Sequence, residues 1–377
     1  MDVIPDLPGG KPLKGRAAVT NASGRYEPLQ RVRVDDGWQP PEDGDGEFSA
    51  AKPRTKILVD ATRTAITRNT SPDIPFDRSI NPYRGCEHGC IYCYARPTHA
   101  WLGYSPGLDF ETRILAKPNA PSLLRSELGR KGYRPKPLAL GTNTDPYQPI
   151  EGKLKITRRI LEVLERCNHP VTIVTKSSTV VRDIDILAEM AKRDLVRVYI
   201  SVTTLDAELA RSLEPRAASP AKRLDAIETL IAAEISTGIM VAPVIPALTD
   251  HEIEAILEAG SSKGAKEAGY ILLRLPLEVK ALFEEWLRAF YPERAEHVLA
   301  LVRETRGGAL NDATFGRRLR GRGVYADLIE RRFALARKRL GLGKENLAAL
   351  DISQFSPPRA GIEQLDLFSD RVPRPLP

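Results

Sequence analysis

The chain predicts an α/β fold, a partial (β/α)6 barrel with a C-terminal helical extension and flexible tails, on two observations. Between about Arg78 and Leu275, six short β-branched or apolar runs alternate with helical patterns, the signature of βαβ units in a parallel sheet. The 377 residues, 42% of them hydrophobic, suffice for one main core, and no solenoid-type repeat interrupts it. Right-handed crossovers curl such a sheet and bring the loops after each strand to one rim, where function sits.

The elements follow in order. Residues 1–71 are polar and punctuated by Pro, Gly and Asp, as in Pro40-Pro41-Glu42-Asp43-Gly44-Asp45-Gly46, and read as an extended or disordered N-terminal extension. Residues 72–277 hold the barrel. Its strands are a short one leading into Tyr83, then Pro137–Thr142, Val171–Lys176, Val196–Val202, Gly238–Val244 and Tyr270–Leu275. Between them, Ile156, Ile160, Val163, Leu164 and Cys167 share one helical face, as do Ile184, Leu187, Ala188 and Ala191. Residues 278–341 are helical and form an Arg-rich cap over one barrel end, with Arg317-Arg318-Leu319-Arg320-Gly321-Arg322 between its last two helices. Residues 342–377 lose periodicity and read as a flexible tail.

Lys+Arg number 56 against 49 Asp+Glu, a formal +7, which favours an anionic partner. No apolar run approaches the roughly 20 residues of a membrane span, and the N-terminus lacks a signal pattern, so a cytoplasmic location is expected. Three of the 4 Cys fall within eight residues, too close for a disulfide framework and suited to a metal in a reducing compartment.

Those three stand in Asn81-Pro82-Tyr83-Arg84-Gly85-Cys86-Glu87-His88-Gly89-Cys90-Ile91-Tyr92-Cys93-Tyr94, a C-x3-C-x2-C loop after the first strand. Thiolates favour soft metals, and a cubane takes four, so three leave one iron open to an exogenous ligand. Structural zinc is the alternative and would need His88 or His99 as a fourth ligand.

The C-x3-C-x-aromatic-C pattern, with Tyr92 as the aromatic, resembles the radical S-adenosylmethionine (SAM) superfamily. The resemblance implies a [4Fe-4S] cluster on Cys86, Cys90 and Cys93. SAM would chelate the open iron, and one electron from a flavodoxin- or ferredoxin-type donor would yield a 5′-deoxyadenosyl radical that abstracts a substrate hydrogen. Within the superfamily the chain is most similar to the spore photoproduct lyase-like group, through Tyr92-Cys93-Tyr94, Thr144-Asp145-Pro146, Thr175-Lys176-Ser177 and Ser201. This implies cofactor-binding roles for Tyr92, Asn143, Asp145, Lys176, Ser177, Ser201 and Arg216. Asn143 and Asp145 would accept from the SAM ammonium, although Asn-x-Asp-Pro is also ordinary turn chemistry. Lys176 would meet the SAM carboxylate or else solvate a strand end. Arg216, in Glu214-Pro215-Arg216, would be a carboxylate fork. Tyr94 matches the lyase's relay tyrosine and is the catalytic candidate. The lyase's relay cysteine has no counterpart between Cys93 and the second strand, and Cys167 lies on a buried helical stripe, which puts the lyase's own reaction in doubt.

The Arg-rich cap suits a phosphate-tracking surface, with a solvated helix face as the competing account. In the tail, Gln364, Leu365, Leu367 and Phe368 of Gln-Leu-Asp-Leu-Phe resemble the motif that docks bacterial repair and replication proteins on the DNA sliding clamp. The alternative is an apolar segment folded back on the barrel. The expected function is a radical SAM enzyme acting on DNA in a repair-like role. Its alternatives are a protein or small-molecule substrate, and a non-catalytic Fe-S scaffold or sensor.

Overall fold

The computed structural model describes residues 14–27, 54–343 and 348–358. Among them the strands are β1 (Lys56–Val59), β2 (Ile66–Arg68), β3 (Arg78–Ile80), β4 (Tyr83–Arg84), β5 (Arg113–Ala116), β6 (Leu138–Leu140), β7 (Val171–Thr175), β8 (Val196–Ser201), β9 (Thr237–Val244) and β10 (Glu267–Leu272). One sheet runs β10-β9-β8-β7-β6-β3-β2. From β3 to β10 every neighbouring pair is parallel, in chain order, and only β2 is antiparallel. This is the predicted run of six parallel strands, left open and capped at one edge by β2. The first predicted strand ends at Ile80, because Tyr83–Arg84 leaves for a second sheet of order β1-β5-β4.

The strands form where branched residues alternate: in β7, Val171, Ile173 and Thr175 are buried and the residues between them are half-buried. The crossovers carry helices Ala120–Leu128, Ile156–Arg166, Ile184–Ala191, Pro220–Ala232 and Ile253–Ser262. Ser219 starts the fourth by accepting from Lys222 N, with Pro220 in the first turn. Ile156, Ile160, Val163 and Leu164 are buried on the predicted face. On Ile184–Ala191 the buried residues are Ile186, Leu187 and Met190, with Ala188 and Ala191 at the margin. A second apolar cluster joins Trp286, Leu287 and Val298 of the cap helices Val279–Phe290 and Pro292–Thr305 to Ile91 and Ala17. Helix Val324–Arg339 completes the cap.

Parts of the two predicted tails are fixed. Ala17 and Ala18 are buried because their amides donate to the Glu111 carboxylate. Residues 348–358 form a strap, with Asp351 N donating to Asp194 O and Ser356 N to Cys167 O, each at 2.9 Å. Phe355 sits 5.5 Å from both the Tyr133 and His169 rings. Asp194 and Cys167 just precede β8 and β7, so the strap crosses the barrel end opposite the rim. The Gln364–Phe368 motif lies outside the described residues. No described helix is long and apolar enough to cross a membrane.

Candidate active site

The cysteine loop begins where β4 leaves its sheet. Gly85 turns it at φ +78, and a Cβ there would sit 2.9 Å from Phe110 O. Gly89 has φ +68, and its Cβ would meet Glu111 Oε2 at 2.8 Å. Tight turns follow: Gly89 N donates to Cys86 O and Cys93 N to Cys90 O, both at 3.2 Å. Cys86 and Cys90 are buried and Cys93 is half-buried. Burial, then the negative charge of Asp145 and of the other two cysteines, pushes the Cys86 thiol well above its usual range. Burial and the Glu214 charge do the same to Cys90. Three such thiols become thiolates only with a cationic partner, which an iron-sulfur cluster supplies.

A buried guanidinium forms the back wall of this loop. Arg96 spends its N–H groups on Cys90 O (2.9 Å), Gly89 O (2.7 Å), Pro106 O (2.9 Å), Gly107 O (3.0 Å) and Glu111 Oε1 (2.6 Å). Glu111 also accepts from Ala18 N at 3.0 Å, which ties the N-terminal segment to the same point. Sequence reasoning missed both residues. Arg96 lies three past Cys93 and could have been suspected, but nothing local marks Glu111.

A second buried network lies at the ends of β8 and β9. Glu214 accepts from the Tyr92 hydroxyl, from Thr203 Oγ1 (2.6 Å) and from Arg223. Burial lifts this carboxyl, but the Arg223 and Lys176 charges and the two hydroxyls outweigh it and hold it at about 2. Lys176 Nζ donates to Ala242 O at 3.1 Å and lies 5.7 Å from the Tyr92 ring centroid, so it points into the barrel beside the cysteines. Tyr92 is thereby held from behind, its hydroxyl occupied.

The predicted polar residues divide. Asp145 accepts from Tyr147 N (2.8 Å), Thr175 Oγ1 (2.7 Å) and Lys176 N (2.8 Å), and His88 Nδ1 lies 3.3 Å away. Burial pushes this carboxyl up, yet His88 and these donors bring it down to about 2. A carboxylate with four acceptor positions filled has none for an ammonium, so Asp145 orders the loop instead. Asn143 donates its backbone N to Asn81 Oδ1, and its side-chain amide meets no described residue. Ser177 caps the turn Ser178–Asp183 through Thr179 N, which occupies its hydroxyl. Ser201 is buried at the end of β8, its carbonyl accepting from Arg223. The Arg216 guanidinium is engaged elsewhere than as a free carboxylate fork: it pairs with Glu87 at 3.1 Å and donates to Thr55 Oγ1 at 3.4 Å. Arg223 is the inward arginine, because the Ser219 cap starts a helix that turns it onto the core.

Tyr94 is exposed on the rim. Its hydroxyl donates to Thr142 O, and the Arg274 guanidinium lies 4.2 Å from its ring centroid.

A family model for the radical SAM superfamily matches residues 80–260. An uncharacterized protein of Mycobacterium tuberculosis is 38% identical over 232 residues, covering 61% of this chain and 68% of the relative. A protein of Pseudomonas phage M6 named a radical SAM Nalpha-GlyT isomerase is 26% identical over 238 residues, covering 60% of this chain and 46% of that one. Among solved structures, a spore photoproduct lyase variant superposes with a TM-score of 0.54 at 18% identity, covering 80% of this chain and 85% of the lyase. The chain therefore belongs to the radical SAM superfamily, an enzyme that uses a [4Fe-4S] cluster and S-adenosylmethionine, on the fold of spore photoproduct lyase.

Proposed function

We propose that this enzyme acts on DNA in a repair-like role, with Cys86, Cys90 and Cys93 as the cluster ligands. Asn143, Lys176 and Ser201 would meet SAM: the Asn143 amide has no partner among the described residues, Lys176 points into the barrel with donors left beyond its bond to Ala242 O, and Ser201 ends β8 at the rim. Tyr92, Asp145, Ser177 and Arg216 hold the loops in place. When bound, cluster and cofactor supply the 5′-deoxyadenosyl radical; the chain's part is to orient the substrate at the mouth and exclude water. Tyr94, directly after Cys93, is the residue on the radical's path.

One observation carries the DNA reading. Leu319 O accepts from Leu272 N at 2.9 Å, and buried Arg306 donates to Leu272 O (2.9 Å), Leu273 O (2.5 Å) and Arg318 O (2.9 Å). The Arg317–Arg322 segment is thus anchored beside the last strand's rim end, where phosphates would approach the mouth. A spore photoproduct lyase structure of the same fold contains dinucleoside spore photoproduct, which agrees with this reading.

The test is anaerobic reconstitution with SAM and dithionite, comparing ultraviolet-irradiated with unirradiated DNA. Altered DNA, or transfer of substrate deuterium into 5′-deoxyadenosine, is expected; 5′-deoxyadenosine formed at one rate with or without DNA, and DNA left unchanged, refutes it. A flavodoxin- or ferredoxin-type protein would replace dithionite in the cell. Gln364, Leu365, Leu367 and Phe368 would dock on the sliding clamp. Loss of clamp binding on Leu367→Ala with Phe368→Ala checks this, and unchanged binding rejects it.

A further inference from the structure

Tyr94 shares the rim with other open rings. Trp101 is 68% exposed and Phe315 55%, and Tyr26 is exposed as well. Leaving rings this large in water is unfavourable unless something covers them. Three of the four carry a guanidinium on the face: Arg274 over Tyr94 at 4.2 Å, Arg318 over Phe315 at 4.8 Å and Arg25 over Tyr26 at 5.3 Å. Trp101 stacks on Tyr26 with centroids 4.6 Å apart.

Chain adjacency and hydrogen bonds tie the pairs to the segment that follows the last strand. Tyr94 follows Cys93, and Arg274 stands two residues beyond β10. The Phe315–Arg318 pair is carried by the segment that Leu319 joins to β10. Arg25 donates to Glu278 at 2.5 Å, four residues past Arg274, and brings Tyr26 and Trp101 to the same side.

Arg274 differs from its neighbours. Arg25 meets Glu278, Arg96 meets Glu111, Arg223 meets Glu214 and Arg318 meets Asp73. Arg274 stacks on Tyr94 and has no carboxylate or hydrogen-bond partner among the described residues. Burial most of all, and the like charge of Arg318, disfavour its charged form, and Tyr94 offsets part of this. An anion at its open edge would relieve both costs.

We infer that the rim takes its substrate as an unpaired single strand, with bases stacked on the exposed rings and a backbone phosphate on Arg274. This rests on the nucleic-acid reading above and sharpens it. Paired bases in a duplex hide the faces these rings would cover, whereas unpaired bases offer them regardless of sequence. Exposed stacking faces beside the one unpaired guanidinium among these pairs, that of Arg274, match a strand that offers both bases and phosphates.

The experiment uses the reconstituted full chain and a fluorescent oligonucleotide of about 12 nucleotides, long enough for one such groove, as single strand and as duplex, followed by anisotropy over a salt series. Single strand is expected to bind about tenfold tighter than duplex, and Trp101→Ala and Phe315→Ala each to weaken it about five- to tenfold. Arg274→Gln should weaken binding and lower the slope of log affinity against log salt by about one. Iron and sulfide content reports that the variants fold. Duplex bound as tightly as single strand, or variants that bind as the parent does, overturns the inference while leaving DNA as substrate. A parent that binds neither form refutes the nucleic-acid reading itself.

Discussion

The Arg96 guanidinium and the Glu111 carboxylate meet at 2.6 Å where neither reaches solvent, and the cysteine loop is built on that pair. Through it one charge pair fixes the carbonyls of Gly89 and Cys90 and the amides of Ala17 and Ala18.

Glu111→Gln leaves Arg96 charged and uncompensated in the interior, a loss of roughly 3–5 kcal/mol. Thermal unfolding should show it, together with lower iron content after reconstitution. Arg96→Lys should not restore the parent, since an ammonium has three donors against the guanidinium's five. A Glu111→Gln protein with parental melting temperature and iron content would remove the pair from this role.

The strap on the opposite end has its own pH dependence. Burial lowers the His169 pKa from 6.5 to about 4, with Nε2 2.8 Å from the Tyr133 hydroxyl and Phe355 packed edge-on against the ring. The unfolded chain binds this proton more tightly than the folded one. Stability is therefore full above pH 6.5 and is lost as pH falls from there toward 4. Between pH 7 and pH 5 the loss from this group is about 2 kcal/mol. Denaturant titrations at the two pH values should show it in the parent and a correspondingly smaller difference in His169→Gln; equal differences would contradict the assignment.

Tyr94 sits beside Cys93 with its hydroxyl on Thr142 O, so Tyr94→Phe removes one hydroxyl from an exposed site and leaves the core intact. The ratio of altered substrate to 5′-deoxyadenosine should fall about tenfold, a barrier change of about 1.4 kcal/mol. An unchanged ratio would take Tyr94 off the radical's path.

What the sequence disclosed follows from how local each signal is. The cysteines and their glycines are one contiguous loop, and the six strands each announce themselves by branched residues, so both were legible. Arg216 and Arg223 illustrate the limit. Both follow β8, and only the helix that Ser219 starts turns Arg223 inward while Arg216 meets Glu87. Asp145 was readable as an acceptor, but that its acceptor positions are filled depends on Thr175, Lys176 and His88 arriving from two other loops. Glu111 was invisible, because the Ala17 and Ala18 amides that its carboxylate accepts from lie 94 and 93 residues away.

Cys167 is the one described cysteine outside the cysteine loop, and its place bears on whether a thiol relay of the lyase type operates here. It ends helix Ile156–Arg166, is buried, and its carbonyl accepts from Ser356 N beneath the strap, at the barrel end away from the mouth. Burial raises its thiol pKa, which keeps it a neutral thiol. Cys167→Ala should cost about 1 kcal/mol of stability, the scale of one lost buried group. Turnover should not change, since Cys167 lies at the barrel end away from the mouth. Running the reaction in deuterated water identifies the class of any donor that returns hydrogen to the substrate: label in the product from both parent and Cys167→Ala points to an exchangeable site such as the Tyr94 hydroxyl. Loss of turnover in Cys167→Ala with the fold intact would mean that this thiol does reach the mouth and that a lyase-like relay survives in a different place.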